Sequence, residues 1–168
     1  MSITVLNPKA DVVETKTGIA PTDQTRLANG LSGLLSDTYT LMIKTHGYHW
    51  NVVGPMFRTV HLMTEEHYED LFQAADDLAE RIRSLGHPAP ASFTDMAALT
   101  VIEEEKGSPT AQQIIETLVD DHEKIVRRLR ETAEIAGDLK DSVTADMLTE
   151  RMQFHEKAVW MLRSTLAE

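Results

Sequence analysis

The sequence predicts an all-α protein, a four-helix bundle with one long connection. Hydrophobic residues make up 42% of the 168 residues but aromatic residues only 5%, which is typical of packed helices rather than of a β-sandwich. Apolar residues also recur at spacings of three and four over four long segments. A chain of this length buries roughly 70% of its unfolded surface, so a single domain can hold the core.

The N-terminal half predicts a tail followed by a helical hairpin. Residues 1–21 show little periodicity, so we expect a flexible tail ahead of a bundle domain that spans residues 22–168. The first long helix is expected from residue 22 to about residue 52, after a Pro-Thr start signal. The second is expected from about residue 57 to residue 85, between a Gly-Pro pair and a Gly-His-Pro stop.

The C-terminal half predicts a second hairpin behind a long crossover. Residues 89–109 connect the two halves, with a short helix predicted after Ser92. The third long helix begins near residues 108–110, and the fourth follows a turn near residue 139 and reaches the C-terminus. Two short-linked hairpins joined by a crossover form the ferritin-like arrangement of a four-helix bundle.

Charge and composition exclude several classes of function. A net charge of −11 removes any general attraction to nucleic acid or to an anionic membrane surface and favours cations as partners. The absence of cysteine excludes thiolate metal sites, disulfides and thiol catalysis. The first residues do not resemble a signal peptide, and no stretch of about 18 apolar residues follows. We therefore expect a cytoplasmic protein that does not bind membranes.

The histidines do not follow the Glu-x-x-His pattern of di-iron bundles, because none of the seven has a glutamate three residues before it. His49 and His61 each lie about six residues from the Gly54-Pro55 turn, so the hairpin should bring two imidazoles level on adjacent helices. Asp76 and Glu80 are carboxylates at i and i+4 on one face of the second helix. However, roughly 22 Å of helix separates His61 from Asp76, so one subunit cannot bring all four to one ion.

The carboxylates can complete a site with these histidines only from a second chain. His61, Glu65, Asp76 and Glu80 flank the core stripe on the same side of the second helix. An antiparallel, two-fold copy would set His61 of one chain opposite the acids of the other and create two identical sites. Imidazoles with carboxylates suit Fe(II), and zinc could occupy the same site. Taken alone, each residue could instead be an exposed or ion-paired side chain.

The other histidines leave alternatives open. His122 and His155 lie on the apolar stripes of the third and fourth helices, at similar distances from their turn, so they could meet inside the bundle. They would form either a competing metal site within the subunit or a hydrogen-bonded pair in the core. His46 is either an accessory ligand or an exposed histidine. His67 and His87 receive no role.

These motifs together resemble the signature of a known family. The stretch YHWN at residues 48–51 is followed by His61 and then by the pattern DxxxER at residues 76–81. This combination resembles the Dps family, the ferritin-like mini-ferritins named as DNA-binding proteins from starved cells. The resemblance covers about residues 22–166.

The resemblance implies an iron-storage protein that protects against oxidative stress. It implies a dodecameric shell with ferroxidase sites at its two-fold interfaces, where His49 and His61 come from one subunit and Asp76 and Glu80 from its mate. Fe(II) would be oxidised at these sites, usually with hydrogen peroxide as the oxidant, and the ferric product would mineralise inside the shell.

The resemblance also implies supporting residues. Glu65 stands where the family commonly has an aspartate beside the site. Trp50 resembles the tryptophan next to the iron, an electron donor, although an interface packing role is the alternative. Iron enters these shells through acidic pores at three-fold contacts near the start of the last helix. Asp138, Asp141 and Asp146 are the matching acids here, with ordinary surface charge as the alternative.

The family name does not decide DNA binding. Residues 1–26 contain three basic and three acidic side chains, so the tail is neutral. Twelve copies with a charge of −11 each would together carry a formal charge of about −130, which repels phosphate. We therefore expect weak or absent DNA binding. The alternative is a nucleoid-associated, DNA-protecting protein in which metal binding is secondary.

Overall fold

The protein folds into five helices, described by a computed structural model over residues 10–167. The helices are α1 (Pro21–Asn51), α2 (Phe57–Ser84), α3 (Phe93–Leu99), α4 (Ala111–Asp138) and α5 (Ser142–Leu166). Over the described range there is no strand, so the all-α prediction is confirmed. Residues 1–9 of the predicted tail and residue 168 lie outside that range.

Local sequence signals account for the helix boundaries. Pro21 occupies the first turn of α1, where its missing N–H costs nothing. Gly54 adopts a φ of +98° in the turn between α1 and α2, a conformation that other residues rarely adopt. The Ser92 side chain caps α3, and Thr110 forms a capping box with Gln113 at the start of α4. These caps set the ends of the crossover.

The four long helices pack as two hairpins around one apolar core. Helix α1 packs against α2 and α4 against α5, while α1 also contacts α4, and the short α3 lies on α1. This arrangement confirms the predicted bundle with one long connection. The largest fully buried side chains are Leu27, Leu31, Leu34, Leu41, Leu71, Leu78, Ile82, Leu85, Ile114, Ile115, Leu118 and Ile125.

Two apolar residues that continue the three- and four-residue spacing of the long helices are exposed rather than buried. Ile43 is 46% exposed because it lies one residue, or about 100° of helix rotation, beyond the buried Met42. Phe57 is 44% exposed at the first position of α2, where its ring stacks against His61 at a centroid distance of 5.0 Å. The surface around the hairpin turn is therefore more apolar than the periodicity suggested.

A buried carboxylate holds the crossover against α1. Asp37 Oδ1 accepts hydrogen bonds from the Thr100 hydroxyl at 3.0 Å and from the Val101 backbone N–H at 2.8 Å. Arg128 of α4 donates to the other carboxylate oxygen at 3.0 Å. Because Asp37 is fully buried, these bonds compensate for its lost hydration and fix the end of α3 between α1 and α4.

Part of the predicted tail lies against the bundle. The Val13 N–H donates to the Gly86 carbonyl oxygen at 2.8 Å, and the Gln24 side chain donates to the Thr15 hydroxyl at 2.7 Å. A Cβ on Gly86 would approach the Val13 carbonyl oxygen to 2.1 Å, so glycine is required at this contact. Among the described residues, none of the helices is long and apolar enough to cross a membrane.

Candidate metal centre

His49 and His61 lie side by side near the turn between α1 and α2. Their ring centroids are 3.8 Å apart and their planes differ by 17°. His49 Nδ1 donates to the backbone oxygen of His61 at 2.9 Å, and His61 Nδ1 donates to the backbone oxygen of His49 at the same distance. A carbonyl oxygen can only accept, so each Nδ1 carries a hydrogen. In the neutral rings, both Nε2 atoms therefore keep a free lone pair.

This reciprocal pairing is a product of the hairpin. The Gly54 turn reverses the chain, so that equivalent positions on α1 and α2 face each other. Hydrogen bonds of this kind hold histidine rings in the tautomer and orientation that a metal requires.

The predicted carboxylates do not reach the two histidines within one chain. Helix α2 is unbroken, so His61 and Asp76 are separated by roughly 22 Å along its axis. Asp76 and Glu80 are exposed and Glu65 is half-buried on that helix. Within residues 10–167, no three carboxylate or imidazole groups lie close enough to hold one metal ion. A single chain thus presents the imidazoles and the carboxylates as two separate halves.

Aromatic rings extend from the histidine pair toward the surface. Trp50 is 66% exposed, and its ring lies 4.1 Å from that of His46. The His46 ring in turn stacks on Tyr68 at 4.2 Å, and Tyr68 meets His49 edge-on at 5.3 Å. No role was predicted for Tyr68 from the sequence. Tyr68 follows His61 by seven residues, which places both on one face of α2. This spacing could have identified Tyr68 as a neighbour of the site.

A second pair of histidines, His122 and His155, meets in the core. Their Nδ1 atoms are 2.7 Å apart, and both residues are buried. That is a hydrogen-bond distance, whereas two nitrogens bound to one tetrahedral ion at Zn–N distances near 2.1 Å would lie about 3.4 Å apart. Burial lowers the pKa of each ring well below its usual value. Of the two alternatives, the geometry favours the hydrogen-bonded pair.

His67, for which the sequence predicted no role, joins this buried pair. Its ring lies 5.3 Å from that of His122 and 5.8 Å from that of Phe154. Burial lowers the pKa of His67 to about 4, against the opposing charge of Asp70. Asp70 itself pairs with Arg151 at 2.6 Å. The sequence offered no signal for this contact, because it depends on how α2 packs across the bundle onto α4 and α5.

The structure corrects one of the three pore candidates. Asp138 and Asp146 are exposed at the α4–α5 turn, but Asp141 is buried and caps α5. Arg81 donates to both Asp141 carboxylate oxygens, at 2.8 and 2.7 Å. Burial alone would raise the pKa of Asp141, but hydrogen bonds from Thr144 and Arg81 outweigh it and lower that pKa. A carboxylate held in this way is not free to bind passing iron.

Comparison with known proteins agrees with this architecture. The ferritin-like domain matches residues 28–168. A DNA protection during starvation protein of Helicobacter pylori is 35% identical over 138 residues, which cover 82% of this chain and 96% of the relative. The chain belongs to the Dps family of ferritin-like proteins. A low temperature-induced protein of Nostoc sp. is similar to this Dps chain at 43% identity over 150 residues, 87% of this chain and 84% of the relative.

A solved structure is similar over nearly the whole chain. The Dps protein of Vibrio cholerae O1, described as a member of the ferritin-like diiron-carboxylate proteins, superposes with a TM-score of 0.87 at 32% identity. The match covers 96% of this Dps chain and 99% of that one. The four-helix bundle, its long crossover and the hairpin that carries His49 and His61 are therefore those of a Dps subunit.

Proposed function

We propose that this protein oxidises Fe(II) at sites shared between two subunits and stores the ferric product in a dodecameric shell. The proposal depends on the reciprocal hydrogen bonding of His49 and His61. Because each Nδ1 carries the hydrogen, both Nε2 atoms are free to donate a lone pair to a metal ion. The diiron-carboxylate description of the Vibrio cholerae relative supports iron as the metal. Imidazole and carboxylate donors are suited to Fe(II), and Zn(II) would compete for the same atoms.

The carboxylates of each site would come from the neighbouring subunit. Asp76 and Glu80 are exposed, lie on the same helix as His61 and are too distant from it to share an ion within the chain. In an antiparallel two-fold pair, the acids of one subunit would face the histidines of the other. Glu65, one helical turn beyond His61, would support the site from within the subunit that carries the histidines.

The oxidation would use hydrogen peroxide. Each peroxide accepts two electrons, one from each of two Fe(II) ions, and takes up two protons to form two waters. The site residues would hold the iron ions close together, and Trp50 would be an electron donor that absorbs radical equivalents from the site. Asp138 and Asp146 would line the entry for iron, because their carboxylates are exposed at the α4–α5 turn.

Mixing two inactive variants tests the shared site. The double variant His49→Ala/His61→Ala lacks imidazoles, and Asp76→Ala/Glu80→Ala lacks carboxylates. Co-refolded in equal amounts, they form mixed two-fold pairs in which one of the two sites is complete. Random mixing should therefore restore about a quarter of the wild-type sites, measured as the initial rate of Fe(II) oxidation by peroxide. A mixture as inactive as each parent, or a monomer that still binds iron in analytical ultracentrifugation, contradicts the proposal.

Protection of DNA by direct binding is the alternative function, favoured by the names of the relatives. A net charge of −11 on each chain opposes it, because phosphate would be repelled. We expect no gel shift of plasmid DNA at pH 7.5 in low-magnesium buffer, and a shift that grows when Mg²⁺ is added to bridge the charges. A clear shift without Mg²⁺ would favour the DNA-binding function instead.

A further inference from the structure

A continuous series of aromatic rings leads away from the histidine pair. The successive centroid distances are 4.1 Å from Trp50 to His46, 4.2 Å from His46 to Tyr68, 5.3 Å from Tyr68 to His49 and 3.8 Å from His49 to His61. His46 is near-parallel to Tyr68, with an interplanar angle of 29°, and Tyr68 meets His49 edge-on. Each ring is in contact with the next, so an electron has no gap to cross between the surface and the candidate ligands.

We propose that Tyr68 is a one-electron donor to this site and that His46 couples Tyr68 to Trp50. The inference rests on the proposed ferroxidase function and adds two residues to it. It concerns the case in which a site holds a single Fe(II). Peroxide needs two electrons, but that ion supplies only one, so a second donor must lie close to the ligands.

The step balances with Tyr68 as that donor. Fe(II) gives one electron to peroxide and becomes Fe(III), and the O–O bond breaks. Tyr68 gives the second electron through the ring of His49 and releases its phenolic proton to solvent, which leaves a neutral tyrosyl radical. The oxygen atoms take up two protons in all and leave as two waters. Overall, one Fe(II), one peroxide, one tyrosine and one proton are converted to one Fe(III), one tyrosyl radical and two waters.

The surroundings of Tyr68 suit this role. Partial burial raises the pKa of its phenol, and the carboxylates of Glu65 and Glu69 raise it further. The same negative charges favour removal of an electron from the ring.

The other tyrosines provide natural controls, because the chain has only three. The Tyr48 hydroxyl donates to Glu105 of the crossover at 2.7 Å, so it faces away from the histidine pair. Tyr39 lies on α1 nearly three turns before His49 and packs against the apolar core. Only Tyr68 combines partial exposure with a ring contact to His49.

His46 would act as a positioning residue for both donors. Its ring is in contact with Tyr68 and with Trp50, which is 66% exposed at the outer end of the series. An oxidising equivalent that starts at Tyr68 can therefore pass outward to Trp50, away from the iron. Removing the imidazole would separate the two donors without touching either one.

Rapid-freeze EPR tests Tyr68 directly. The assembled, iron-free protein receives one Fe(II) per chain and then peroxide, and the tyrosine is ring-deuterated in a parallel sample to assign the signal. We expect a tyrosyl radical that Tyr68→Phe reduces at least fivefold and that Tyr39→Phe leaves unchanged. With Tyr68→Phe, a spin trap in solution should capture more hydroxyl radical. An undiminished tyrosyl signal in Tyr68→Phe, or none in the wild type during iron oxidation, overturns the proposal.

The coupling by His46 has a separate readout. His46→Leu should lower the ratio of tryptophanyl to tyrosyl radical at least threefold, and His46→Phe, which keeps a ring between the donors, should restore it. Packing alone would not make this ratio depend on a ring at position 46. An unchanged ratio in His46→Leu refutes the coupling.

The same samples separate this inference from the ferroxidase proposal. If the wild type and His61→Ala oxidise Fe(II) equally, the proposed site itself is wrong. If His61→Ala is slow but Tyr68→Phe retains the full tyrosyl signal, the site stands and only the donor assignment fails.

Discussion

Two groups of histidines in this molecule differ in their hydrogen-bond partners. His49 and His61 lie at the hairpin end, where backbone carbonyl oxygens fix their Nδ1 hydrogens and leave Nε2 free. His122 and His155 lie in the core, where they hydrogen-bond to each other, with His67 beside them. The first group keeps its Nε2 lone pairs available to a ligand, whereas burial holds the second group neutral.

The hydrogen-bond partner, rather than the presence of two imidazoles, decides whether a histidine pair has a lone pair available for a metal. A carbonyl oxygen directs the free lone pair away from the backbone and toward a ligand. In the core pair, the Nδ1 lone pair of one imidazole accepts the hydrogen on Nδ1 of the other, so the two Nδ1 atoms satisfy each other. Motif searches that count histidines cannot separate these cases, because both pairs consist of level residues on adjacent helices.

The largest expected effect is acid destabilisation through the core group. A histidine whose folded pKa is depressed stabilises the fold fully above its unfolded value of about 6.5, and that stability is lost as the pH falls toward the folded pKa. The pKa of His67 falls from about 6.5 in the unfolded chain to about 4 in the fold. At roughly 1.4 kcal/mol per pH unit, the stability lost through His67 is therefore about 3 kcal/mol by about pH 4.5. His122 and His155 add to it in the same direction. Urea unfolding of iron-free protein between pH 7 and 4.5 measures this slope.

The variant His67→Leu isolates the contribution of His67 to the pH dependence of stability. Within residues 10–167, His67 Nδ1 is buried without a hydrogen-bond partner, so leucine removes an unsatisfied polar atom. We expect the variant to take up about one proton fewer per chain on unfolding near pH 5. Leu148→Ala is the matched control, because it destabilises the same core without removing a titratable group. Equal pH slopes in His67→Leu and the wild type would contradict the assignment.

A smaller effect is expected from metal at the hairpin pair. Redox-inert Zn²⁺ at a hundred times its dissociation constant should stabilise the assembled protein by about 2.7 kcal/mol, seen as a rise in Tm. His61→Ala should abolish most of that rise, whereas His67→Leu should keep it. A Zn²⁺ effect that disappears with His67→Leu and survives His61→Ala would move the metal site into the core.

The sequence predicted the fold and the hairpin pair because both depend on local rules. Periodicity and breakers located each long helix within a few residues, and the Gly54 turn made His49 and His61 level. The buried state of His67 and Asp141 was not predictable in this way. Both depend on contacts with side chains far along the chain, Arg81 for Asp141 and the α4–α5 hairpin for His67.

The smallest effect is a difference in tautomers between the two pairs, without any change in stability. Both Nδ1 atoms of His49 and His61 donate to carbonyl oxygens, so both rings should carry hydrogen at Nδ1 and none at Nε2. In the core pair only one Nδ1 can donate, so the other ring must carry its hydrogen at Nε2. Solid-state ¹⁵N NMR of histidine-labelled, metal-free protein at pH 8 distinguishes these states, and His61→Ala and His155→Ala assign the signals. A hydrogen on Nε2 of His49 or His61 would mean that the pair is not prepared for a metal and must rearrange to bind one.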